Sequence, residues 1–125
     1  MAQTVQDRQA LAASFIQGFL HSPQGKLAVF IDSRADLLSL HALFPHAAVL
    51  APIDPMPMRE MALHRFQFDP GCRLLLADLR LAATGVDLSF ATAAFFDLAY
   101  DHDPALLTQA RTRLPRVAGH ERLPA

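Results

Sequence analysis

Gln109, Arg113 and Arg116 stand at i, i+4 and i+7, a spacing that sets all three on one face of an α-helix. Leu106, Leu107, Ala110 and Leu114 form the opposite, apolar side of the same segment. Two guanidinium groups on one face suit a polyanion, because each offers planar, bidentate donors to phosphate oxygens and stays charged at any working pH. The spacing also fits a solvated helix end, where arginines are favoured by the helix dipole. Both readings stand on spacing alone.

Such a pair acts only if something positions it. Asp103 reads as an N-cap and Pro104 as the first helical residue, the arrangement favoured at a helix start. Ahead of them, residues 93–99 read as a strand, and 26–31, 47–51 and 73–77 as three more. These are short continuous apolar runs, as expected for strands covered on both faces. Helical patterns lie between them. Residues 4–20 carry a stripe of Leu11, Ala12, Phe15, Ile16, Phe19 and Leu20, ended by the proline and glycine of 21–25. Residues 35–44 turn Leu37, Leu38, Leu40, His41 and Phe44 to the core and stop at Pro45. Three prolines in 52–57 forbid regular pairing there, and a helical pattern resumes over 59–66 through Met61, Ala62, Arg65 and Phe66. Strands alternating with helices imply parallel β-α-β units and a three-layer α/β/α domain with a central, mainly parallel sheet.

In such domains ligands sit beyond the carboxyl ends of the strands. The loops ending there are 32–34, 78–88 and 101–103. Gly85 would permit close backbone approach to a ligand, and Asp87 offers an acceptor for a sugar hydroxyl. Asp97, Asp101, His102 and Asp103 are close in sequence, but Asp103 is better used as a cap and Asp97 as a strand residue, so no metal site is expected. The remaining histidines have no ligand-like spacing, and Cys72 reads as a small apolar filler.

The bulk numbers bound the partners. A chain of 125 residues with 52% hydrophobic and 18% charged residues suits one domain, here 1–125, with a helix packed on it over 1–22 and an irregular tail over 117–125. A net charge of −1 disfavours strong independent DNA binding, since nucleic-acid modules carry a positive excess. A lone cysteine fits a reducing compartment. With no leader pattern and no apolar run of roughly 18 residues, a soluble cytoplasmic protein with no membrane partner is expected.

Taken together, the motifs resemble the second RecA-like lobe of superfamily 2 helicases (the P-loop NTPase type of domain), and most of all that of Swi/Snf-type DNA translocases. Residues 26–30 resemble the strand that opens that lobe, and Ser33-Arg34 the turn after it. Arg59, Phe66 and Asp69-Pro70 resemble the stretch leading to the next strand, and residues 84–88 resemble motif V. Asp103-Pro104 with Gln109-Ala110-Arg111-Thr112-Arg113-Leu114-Pro115-Arg116 matches motif VI at every interval.

The resemblance implies arginine fingers at Arg113 and Arg116, reaching a triphosphate held by the first lobe. It further implies nucleotide contacts at Gly85, Asp87 and Gln109, and nucleic-acid contacts at Ser33, Arg34 and Thr84. ATP and magnesium would be shared with a first lobe, because no G-x-x-x-x-G-K-[ST] loop occurs in these residues. No ATP hydrolysis is expected from the chain alone. Departures from the pattern, namely Ala82-Ala83-Thr84 for the usual glycines and Pro115 between the arginines, keep a second expectation open. That alternative is a non-catalytic module docking on a helicase or another protein as inhibitor or assembly factor.

Overall fold

Leu27, Ala28, Val29, Phe30 and Ile31 are all buried, because a strand with neighbours on both sides and helices on both faces has no exposed position. The computed structural model describes residues 5–22, 24–82, 88, 90–98, 104, 105 and 108. The chain runs α1 (Val5–His21), β1 (Leu27–Ile31), α2 (Arg34–Leu43), β2 (Ala48–Leu50), α3 (Met56–Phe68), β3 (Leu74–Asp78), α4 (Leu79–Ala82) and β4 (Ala93–Asp97). The strands form one sheet in the order β2-β3-β1-β4, and every pairing is parallel. This is the α/β/α layering expected from the alternation of runs.

Each strand sends alternate side chains to opposite faces, so the core divides in two. On one face Ala12 and Ile16 of α1 and Leu37 and Leu40 of α2 pack on Leu27, Val29, Ile31, Leu76 and Phe95, with the Phe15 and Phe95 rings 4.5 Å apart. On the other, Phe66 of α3 joins Phe30, Leu75, Ala77 and Phe96. There the Phe30 and Phe96 rings lie 4.9 Å apart, and Phe66 meets Phe90 edge-on at 5.4 Å.

Several boundaries and faces differ from the sequence expectation. Helix α3 begins at Met56 rather than at residue 59. Pro57 fits inside its first turn, where no backbone N–H is needed. A single helical turn, α4, occupies the first part of the expected 78–88 loop, because Asp78 accepts a bond from the Arg80 backbone N–H at 2.8 Å and so starts a helix. Leu38, expected in the core, is 58% exposed, and Leu11 is 45% exposed. One residue along a helix is a rotation of about 100°, and Leu37 and Ala12 already take the inward positions.

Lys26 and Arg73 close the amino edge of the sheet. The Lys26 ammonium donates to the carbonyls of Phe66, Asp69 (2.8 Å) and Cys72 (2.9 Å), and sits 5.4 Å from the Phe66 ring centroid. The Arg73 guanidinium donates to the carbonyls of Gly25, Leu20 and Gln24. These cations satisfy the orphan carbonyls at the ends of α3 and α1.

Candidate functional site

The carboxyl edge of the sheet is built by register. Ile31 pairs with Asp78 on one side and Asp97 on the other, so the last residues of β3 and β4 lie level with the end of β1. Asp32 follows Ile31, and Asp36 lies one turn into α2; all four carboxylates are buried. Ser33 caps α2, its hydroxyl accepting from the Asp36 backbone N–H at 3.4 Å. The sequence-expected turn at 33–34 is thus a helix start. Arg34, the first residue of α2, is exposed.

Arg80 is the other described cation at this edge. Its Nε lies 3.3 Å from Asp78 Oδ1. The hydrogen bond to Asp78 and then the charge of that carboxylate raise the Arg80 pKa above its ordinary value, with a smaller contribution from Asp32, while burial pulls slightly the other way. Arg80 therefore answers a carboxylate of its own domain. Carboxylates with one paired guanidinium do not fit a triphosphate by themselves, so phosphate affinity at this edge requires other residues. Among the described residues no group of histidine, cysteine or acidic side chains is arranged to hold a metal ion.

Of the residues singled out in the sequence, Ser33 and Arg34 stand at this edge. Thr84, Gly85, Asp87, Gln109, Arg113 and Arg116 lie outside the described residues, as do Asp101, His102 and Asp103. Asp97 ends β4, as expected for a strand residue. Beyond it, Pro104, Ala105 and Thr108 are helical, and the Thr108 hydroxyl donates to the Pro104 carbonyl at 2.9 Å. This one-turn contact agrees with a helix starting at Pro104.

A second feature escaped the sequence reading. A groove of about 1070 Å³ runs along β2, the strand at one end of the sheet order, between α2 and α3. Leu38 of α2, Ile53 after β2, and Met58 and Met61 of α3 line it, each more than half exposed. The signal was present in three methionines within six residues of α3, a helix whose buried residue is Phe66, an excess that one buried position does not need.

No protein-family description and no curated protein matches the chain. Solved structures do. The C-terminal domain of the DEAD-box protein Dbp5 superposes with a TM-score of 0.72 at 14% identity, over 93% of this chain and 67% of that one. The C-terminal part of the Fun30 ATPase domain gives 0.66 at 18% identity, over 76% of this chain and 32% of that one. The fold is that of a RecA-like helicase C-terminal lobe. The C-terminal domain of the Sulfolobus solfataricus SWI2/SNF2 ATPase agrees, with a TM-score of 0.59 at 14% identity, over 71% of this chain and 41% of that one. The lobe thus shares its architecture with DEAD-box and SWI2/SNF2 proteins alike, and spans under half of the Fun30 and Sulfolobus structures. No helix among the described residues is long and apolar enough to cross a membrane.

Proposed function

We propose that this lobe is the second half of an ATP-dependent DNA helicase or translocase of the Swi/Snf type, active only when a first RecA-like lobe holds ATP and magnesium. One observation carries the reading: the β2-β3-β1-β4 parallel lobe is followed, just past the end of β4, by the interval Asp103-Pro104, Gln109, Arg113, Arg116. A helix starting beyond the carboxyl end of a strand has its first turn at the edge where ligands of open α/β sheets bind. In this proposal Arg113 and Arg116 contribute positive charge against phosphate oxygens held by the partner lobe. Gln109, Gly85 and Asp87 line the shared nucleotide cleft, and Ser33, Arg34 and Thr84 face the nucleic acid. The cytoplasm is the proposed compartment.

The test combines the lobe with its cognate first lobe and measures DNA-stimulated ATP hydrolysis. Hydrolysis is expected to rise on mixing and to fall at least a hundredfold with Arg116→Ala, in the lower part of the roughly 10³–10⁵ range of arginine fingers. No rise on mixing, or an Arg116→Ala mixture as active as the parent, would sink the proposal.

A second reading is favoured by the carboxyl edge itself. Its described cations are few and Arg80 is already paired, so the lobe also suits a docking module with no part in hydrolysis. Capture of a helicase partner that survives the Arg113→Ala/Arg116→Ala double variant, with no change in that partner's hydrolysis attributable to either arginine, distinguishes it.

A further inference from the structure

We propose that the outer face of α3 is the contact between two copies of this chain, packed as an antiparallel helix pair about a two-fold axis between Met61 and His64. Helix α3 turns Ala62, Leu63 and Phe66 to the core. The side facing away carries Pro57, Met61, His64 and Phe68, at i, i+4, i+7 and i+11. That alternation of four and three is the seam spacing of paired helices. All four residues are exposed, Met61 by 71% and Phe68 by 62%, although phenylalanine is ordinarily a buried residue. The His64 and Phe68 rings lie 4.7 Å apart, so the two already form one surface.

The order of residues along the seam selects a second copy as its occupant. An antiparallel copy reverses that order, so Met61 meets His64 of the second copy and Pro57 meets Phe68 of the second copy. Thioether and aliphatic ring thus face aromatic rings, a favoured contact for methionine sulfur. The margins agree. On one side Arg65, its guanidinium held by the His46 carbonyl at 2.9 Å, lays its aliphatic stem against Met58 of the second copy. On the other, Glu60 meets Gln67 of the second copy. No like charges are opposed, and the two helix dipoles run in opposite directions. A parallel pair would instead set His64 on His64 and align the dipoles. A net charge of −1 adds little repulsion between copies.

The seam leaves the strand ends free. Lys26, at the amino edge, holds the carbonyls of Phe66 and Asp69, so α3 runs back from the carboxyl edge and its His64–Phe68 half lies far from the loops where a first lobe would dock. With 13 residues, α3 is roughly 20 Å long. One helix pair of that length buries less than about 1,200 Å² in total, the range of weak, transient association, and a dissociation constant of about 10⁻⁵ to 10⁻⁴ M is expected.

Sedimentation equilibrium of the whole chain across that concentration range should show monomer and dimer in exchange. Met61→Lys and His64→Glu, both at exposed positions outside the core, should each weaken self-association at least tenfold with an unchanged circular dichroism spectrum, since the two-fold axis counts each change twice. Mixed together, the two variants should associate with each other at least tenfold more tightly than either does with itself, because the antiparallel seam sets the new lysine against the new glutamate. Leu11→Lys, exposed on α1 across the sheet, should leave the affinity unchanged. The proposal is overturned by a chain that stays monomeric, by self-association that both seam substitutions leave intact, by an equal loss from Leu11→Lys, or by folded variants that do not recover on mixing.

Discussion

Lys26 shows how a cation that looks catalytic is claimed by the fold. It follows a glycine at the start of a strand, as a phosphate-binding lysine would, yet it stands at the amino edge with its ammonium under three carbonyls. Lys26→Met keeps the stem and removes the donors, leaving carbonyls at the end of α3 with fewer partners. A loss of about 2–3 kcal/mol is expected, since bonds to charged groups are worth more than neutral ones, and urea denaturation with an unchanged m-value would show it. Gly25 beside it has φ at 106°, and an added Cβ would lie 2.7 Å from Thr92 Oγ1. Thr92 cannot swing away freely, because its hydroxyl accepts from the Lys26 N–H at 2.8 Å. Gly25→Ala should therefore cost about 1–3 kcal/mol, read as a lower urea midpoint. At this scale the sequence was legible where residue type and neighbours alone decide, as in Asp97, which ends a strand as expected, whereas the cap at Ser33 read only as a turn. It was silent where a partner is distant in the chain, as for Lys26 and Phe66.

Helix α2 is held at its start by one side chain, Ser33. Ser33→Ala should cost about 1 kcal/mol through loss of that cap, and Ser33→Asp should restore most of it, because a carboxylate at that position also suits the helix dipole. Comparing the two melting temperatures checks this; a Ser33→Asp variant no more stable than Ser33→Ala would show that the buried Asp32 and Asp36 beside the cap outweigh the dipole. Strands were the most legible elements, because burial on both faces writes an uninterrupted apolar run such as 27–31. Helix faces were less so. Leu37 and Leu38 are indistinguishable by composition, and only the packing of α2 on the sheet decides that Leu37 goes in and Leu38 lines the groove. The start of α3 was hidden by Pro57, a residue that breaks helices everywhere except in the first turn.

At the scale of the molecule, most of the described cations are spent on the lobe itself. Lys26 and Arg73 cap helix ends, Arg59 and Arg65 hold loop carbonyls, and Arg80 answers Asp78. The whole chain carries a net charge of −1, and the carboxyl edge holds four buried aspartates. The order of runs alone makes the layered parallel fold legible, since parallel strands require crossovers and the helical patterns supply them. How the cations are used was not legible, because composition counts charges without saying which carbonyls they meet. That usage leads to a prediction about the isolated lobe. Electrostatic attraction to DNA grows with the number of phosphates that free cations can neutralise. With most described cations bonded internally, the lobe alone should bind duplex DNA more weakly than about 10⁻⁴ M at physiological salt, the weak end of non-specific affinities. Anisotropy of a labelled duplex across a salt series measures it. Binding tighter than about 10⁻⁶ M with a steep salt dependence would mean that arginines beyond β4 form a phosphate surface of their own, and DNA contact would then no longer need a partner lobe to complete it.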